Sequence, residues 1–109
     1  MKLEIETTRQ PGVVIAALRG SINAANADEV FESLLILVEP GSKLVLAAAG
    51  LEFVSSAGLR LILKLYRAVA IVDGRLILTE LSPEVREVMH VTGFLQHFTC
   101  SETLAEALN

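Results

Sequence analysis

The amino-acid sequence predicts an α/β fold, a mixed β-sheet of about five strands packed against about four helices, in the order β-β-α-β-α-β-α-β-α. Three observations carry that prediction. A hairpin signal stands at the start of the chain, and apolar runs too short for helices then alternate with segments of helical spacing. Glycine or proline marks most of the changeovers between them. At 109 residues, 52% hydrophobic and 20% charged, the chain suits a single domain spanning residues 1–109, with enough apolar material for one core.

Each element has its own local reason. Lys2 to Thr7 alternates Leu3, Ile5 and Thr7 with charged neighbours, and Pro11-Gly12 turns the chain into Val13 to Leu18, apolar enough to be buried on both faces. Together they predict a hairpin. After Arg19-Gly20-Ser21-Ile22, Asn23 is placed to cap a helix over Ala24 to Val38, whose Ala27, Val30, Phe31, Leu34, Leu35 and Val38 recur at three- and four-residue steps until Pro40-Gly41. Lys43 to Ala48, bounded by Gly41 and Gly50, is too brief for a helix and predicts an interior strand. Gly58 to Ile71 repeats Leu59, Ile62, Leu63, Tyr66, Val69 and Ala70, with Arg60, Lys64 and Arg67 between them, and Asp73-Gly74 ends that helix. Arg75 to Thr79 predicts another strand. Ser82-Pro83-Glu84 supplies a cap, a first-turn proline and an acid for a third helix, closed by Gly93. Phe98 to Cys100 predicts the last strand, and Ser101, with Glu102 in the first turn, opens a short final helix through Leu108.

Composition narrows the functional classes. Cys100 is the only cysteine, which excludes a disulfide scaffold. Nine Lys and Arg stand against thirteen Asp and Glu, a net charge of −4, and no basic stripe interleaves with aromatics, so direct nucleic acid binding is not expected. The apolar runs Leu34–Val38 and Leu59–Leu65, interrupted by Glu39 and Lys64, fall short of the ~20 residues of a membrane span. Met-Lys-Leu-Glu-Ile-Glu at the start lacks the basic flank and apolar centre of a signal peptide. The expectation is a cytoplasmic chain, not inserted in a membrane, whose partners are proteins.

The most informative stretch is Gly50-Leu-Glu-Phe-Val-Ser-Ser-Ala-Gly-Leu-Arg-Leu-Ile-Leu, where a pair of serines sits between strand character and helical spacing. A serine at a helix start lies beside unpaired N–H groups and the positive end of the dipole, which suits a reversible phosphate. Hydrolase, zinc and nucleotide readings fare worse. No Gly-x-Ser-x-Gly elbow is present, His90 and His97 are seven apart with Gly93 between them, Cys100 is isolated, and Gly41, Gly50, Gly58, Gly74 and Gly93 are scattered as turn glycines would be. No catalytic residue, metal site or cofactor is expected, and any nucleotide belongs to a partner.

Together with Lys43-Leu-Val-Leu, Leu81-Ser-Pro-Glu-Val-Arg-Glu-Val and Thr92-Gly-Phe, that stretch resembles the STAS domain of bacterial anti-sigma factor antagonists over nearly the whole chain. The resemblance implies a binding protein, not an enzyme. Unphosphorylated, it would bind an anti-sigma factor that is also a GHKL-type serine kinase, releasing a sigma factor. Phosphorylation would end that binding, and a phosphoprotein phosphatase is a further partner the resemblance admits. Aligned on Gly58-Leu59, the phosphoacceptor falls at Ser56. Asn23, Val54, Ser55, Ser56, Ala57, Gly58 and Arg60 are the expected docking residues, with Leu51 a further apolar candidate for exposure. Asn23, Ala47, read as a strand-end position, and Ser55 stand where members of the family often carry acids, so the kinase itself would have to polarise the hydroxyl. The alternative within the same resemblance is a non-phosphorylated accessory subunit of a membrane transport or signalling complex.

Overall fold

A computed structural model describes residues 3–109. Met1 and Lys2, the latter placed by its alternation in the first strand, lie outside the described residues. Five strands form one mixed sheet in the order β1-β2-β3-β4-β5, and four helices pack against it. β1 (Leu3–Gln10) runs antiparallel to β2 (Val13–Ile22) across the Pro11-Gly12 turn. From there β2, β3 (Lys43–Val54), β4 (Arg75–Thr79) and β5 (Thr99–Ser101) are all parallel. The crossovers are α1 (Ala27–Leu35), α2 (Ser56–Ile71) and α3 (Pro83–Val91), the last followed by a 3₁₀ turn at Phe94–His97 that the sequence reading lacked. α4 (Leu104–Leu108) closes the described chain.

Alternation along the strands divides the core in two. Val14, Ala16, Leu44, Leu46, Leu76 and Leu78 face the helices α1, α2 and α3, where Leu34, Leu59, Leu65 and Met89 are fully buried against them. Ile15, Val45, Ala47 and Ile77 face the other way and are covered by Ala107, Leu104 and Leu108 of α4. The central strands are therefore apolar at consecutive positions because each face has its own cover. Lys43 Nζ fixes that cover, donating to the carbonyl oxygens of Ala107 (2.9 Å) and Asn109 (3.0 Å) at the end of α4.

Several boundaries differ from those the sequence predicts. β2 runs to Ile22 instead of Leu18, and β3 runs to Val54 instead of Ala48, because the two strands continue to pair, Gly50 with Arg19 and Val54 with Ile22. Gly50 is thus an interior residue, where an added Cβ would come within 3.0 Å of the Leu18 carbonyl oxygen; the glycine marks close backbone approach, not an end. Consequently Ala47 is a buried mid-strand residue of the α4 side, seven positions before Val54, and does not flank the serines. α1 begins at Ala27 and ends at Leu35, shorter than Ala24–Val38; Leu35 is exposed, and Leu37 takes the buried place beyond the helix. The cap of α4 is Thr103, whose hydroxyl accepts from Glu106 N–H while the Glu106 carboxylate accepts from Thr103 N–H, a reciprocal box that displaces the expected Ser101. Ser101 sits in β5, donating to Thr79 Oγ1 at 2.8 Å. Cys100 lies beside it, one residue inside the strand; partial burial pushes its thiol above the ordinary range, against a weaker opposing effect of Arg86.

Leu65 is wholly buried on α2 between the sheet and its neighbouring helices. Leu65→Ala removes that contact and leaves a cavity, so urea denaturation should show a loss of about 3 kcal/mol with an unchanged m-value.

Candidate functional site

The serine pair is positioned by the far ends of β2 and β3. Their last register pair is Ile22 and Val54, and the Ser55 N–H then donates to the Ile22 carbonyl at 2.9 Å, so the chain leaves both strands side by side. α2 starts at once. Ser55 is its N-cap, in extended backbone conformation, and its Oγ accepts from Gly58 N–H at 3.3 Å, while the Ser55 carbonyl accepts the first helical bond from Leu59 N–H. Ser56 is the first helical residue and is exposed. One serine is therefore consumed in building the helix, and its neighbour presents its hydroxyl outward.

Gly58 explains how the helix start fits there. A Cβ at that position would lie 2.7 Å from Val54 Cγ1 and 2.9 Å from Ile22 Cγ2, so only glycine lets α2 descend onto the strand ends. Gly58 is accordingly buried and acts in packing, not as an exposed docking residue. Val54, also expected in the docking surface, is 3% exposed and belongs to the core, as does Leu51. The exposed apolar side chain is Phe53, at 49%. A bulge accounts for the exchange: Leu51 pairs with Gly20 and Phe53 with Ser21, leaving Glu52 as an extra residue that turns the following side chains over.

Asn23 joins the same end through the turn after β2. Its Oδ1 accepts from Ala25 N–H (2.9 Å) and Asn26 N–H (3.2 Å), while Asn26 Oδ1 accepts from Asn23 N–H (2.9 Å) and Asn26 Nδ2 donates to the Ser21 carbonyl (2.9 Å). Asn23 thus caps a turn preceding α1, and Asn26 holds the N-cap position of the helix proper. The mutual bonds brace the turn beside the serine loop. Ala57 is half-buried and Arg60 exposed, one helical turn beyond Ser56.

The helices flanking this end carry opposite charge. α1 holds Asp28, Glu29 and Glu32 and no basic residue, whereas α2 holds Arg60, Lys64 and Arg67 and no acidic one. They pack side by side, with Lys64 Nζ over the Phe31 ring at 4.4 Å from its centroid. His90 on α3 and His97 in the 3₁₀ turn are both exposed. A depression of about 490 Å³ opens elsewhere, lined by Glu4, Glu6, Ala17, Arg19, Ala47 and Glu80 among others, and no residue between Ser55 and Arg60 borders it.

The STAS domain family model matches residues 4–107. The chain belongs to the STAS domain family. It is 40% identical over 99 residues to BtrV of Bordetella bronchiseptica, a protein named as an anti-sigma factor antagonist, covering 90% of this chain and 84% of that one. Among solved structures, an anti-sigma factor antagonist from Mycobacterium paratuberculosis superposes with a TM-score of 0.86 at 23% identity, over 98% of this chain and 92% of that one. The Bacillus cell fate determinant SpoIIAA in its phosphorylated form gives a TM-score of 0.69 at 23% identity, over 98% and 96%. These two likenesses establish the shared fold, a five-stranded mixed sheet with four helices.

The division of labour between the serines has a measurable signature. Ser55→Ala should cost about 1 kcal/mol in urea denaturation, through loss of the cap. Ser56→Ala, at an exposed first-turn position, should change stability by less than about 0.5 kcal/mol.

Proposed function

We propose that this STAS protein is an anti-sigma factor antagonist whose unphosphorylated form binds an anti-sigma factor, and that phosphorylation of Ser56 ends the binding. The observation that carries the reading is the exposed Ser56 hydroxyl at the first position of α2, beside a Ser55 already committed to the cap. The names of its relatives support it: BtrV is called an antagonist of this kind, and SpoIIAA has been captured in a phosphorylated form. The partner in this reading is a GHKL-type serine kinase that doubles as the anti-sigma factor, with a phosphoprotein phosphatase to reset the cycle.

The step is a phosphoryl transfer. A bond forms between Ser56 Oγ and the γ-phosphorus of ATP, the bond to the β–γ bridging oxygen breaks, ADP departs, and the hydroxyl proton passes to a base of the kinase. Ser55, its oxygen engaged with Gly58 N–H, is not that base. The product carries about −1.5 to −2 charges where a close-fitting partner surface would have to desolvate them, and contact is lost by repulsion and desolvation. The helix start tolerates the charge, so the fold persists.

The docking surface in this reading comprises the Asn23 turn, Phe53, Ser55, Ser56, Ala57 and Arg60. Phe53 supplies the apolar anchor in place of the buried Val54.

Incubation with ATP and the anti-sigma kinases of its own cell should add one phosphate by intact-mass measurement, mapping to Ser56 and absent in Ser56→Ala. In calorimetric titration Ser56→Asp should weaken binding to the anti-sigma factor at least about tenfold, and Phe53→Ala should do so by a similar factor. An unmodified protein with every candidate kinase, together with an Ser56→Asp variant that binds as wild type, would overturn the reading.

A further inference from the structure

Ser56 and Arg60 are both exposed and lie four residues apart on the same side of α2, a spacing that brings side chains into reach of one another. Their order matters. An anion one turn before a cation is the more favourable order for such a pair on a helix, and a phosphate on Ser56 would in addition meet the positive end of the α2 dipole. Arg60 has no carboxylate at salt-bridge distance among the described residues, where the ion pair is Arg9 with Glu39. α2 itself offers it none.

We propose that Arg60 is the internal counter-ion of phosphorylated Ser56, and that this pairing is a second arm of the switch. The inference rests on phosphorylation at Ser56 as proposed above, and names what reads it within this chain. In the unmodified protein the guanidinium is available to a carboxylate of the anti-sigma factor. Once Ser56 carries a phosphate, its oxygens accept from the Arg60 N–H groups in a charge-assisted pair, and the docking surface loses a cation as it gains an anion. The partner is then opposed twice, by a charge it cannot accommodate and by the withdrawal of one it had used.

The neighbouring groups favour the pairing. Asn23 and Ser55, the polar residues of the adjoining turn and cap, are uncharged, so no carboxylate from those two positions competes for Arg60 or repels the phosphate. The other charged groups on the elements that meet at this end are Arg19 of β2, Lys43 and Glu52 of β3, Asp28, Glu29 and Glu32 of α1, and Lys64 and Arg67 of α2. None of the four acids makes an ion pair with Arg60.

The test uses full-length protein with phosphoserine installed at position 56 during translation, so it does not depend on finding the kinase. Phosphorus NMR then follows the second ionisation of the phosphate, which lies near 6 for an unpaired phosphoserine. Pairing with Arg60 favours the dianion, so the wild-type midpoint should fall below that, and Arg60→Gln should move it back up by roughly half a unit. Arg60→Lys should restore part of the depression, since it keeps the charge but not the fork. Arg67→Gln, eleven residues from Ser56, should leave the midpoint where it was.

A midpoint identical in wild type and Arg60→Gln would overturn the inference, even if kinase assays show that Ser56 is modified. Conversely, failure of every kinase to modify Ser56 would defeat the parent reading while the titration still reported on the pair. A supporting binding measurement is available in the unphosphorylated form. Arg60→Gln should weaken association with the anti-sigma factor about three- to tenfold and flatten its salt dependence; unchanged affinity and salt dependence would remove the competing role of Arg60.

Discussion

The geometry of the serine loop depends on the joint ending of β2 and β3. β2 and β3 lead into separate crossovers, α1 and α2, yet Ser55 N–H still holds on to the Ile22 carbonyl one residue past the last register pair. That single bond ties the start of α2 to the end of β2 and brings the braced Asn23–Asn26 turn alongside. The absence of a side chain at Gly58 lets the helix settle on Ile22 and Val54 without displacing either. An exposed hydroxyl on so rigid a mount differs from one on a loop. Its position is set by the sheet, and a chemical change upon it is presented to a partner without being absorbed by local rearrangement.

Much of this was legible in the residues. Helical spacing marked the body of α2, because the amphipathic segment from Gly58 to Ile71 leaves little latitude, although the helix opens two residues earlier, at Ser56; the Pro11-Gly12 and Ser82-Pro83 signals placed the hairpin and α3 through local backbone chemistry alone. The serine pair was recognisable as a helix start for the same reason. The sequence could not show which serine capped, since both are competent; the choice follows from the backbone reaching Ser55 in extended conformation directly after the Ile22 contact.

The misplaced features share a cause: they depend on what a neighbouring strand does. Gly50 has the look of a boundary when read along its own chain, yet it is the place where β2 comes closest. Val54 and Phe53 exchange roles because a bulge, a property of the pairing between two strands, inverts the alternation that a single strand would keep. Ala47 flanks the serines only if β3 ends at Ala48, and pairing with β2 carries the strand on to Val54. Asn23 and Asn26 are both good caps, and their reciprocal hydrogen bonds, not their propensities, decide that α1 opens at Ala27.

The separation of charge between α1 and α2 has a consequence for encounter. With acids gathered on one helix and bases on the next, the surface behaves as an electrical doublet lying across the helix axes, although the chain as a whole carries −4. The net value governs attraction at a distance, but within about a Debye length, ~8 Å at physiological ionic strength, the doublet exerts a torque. An approaching protein with the opposite polarity is rotated into alignment before any side chains touch. One with uniform charge gains on one helix what it forfeits on the other, so the arrangement sorts visitors by their polarity and not by their total charge.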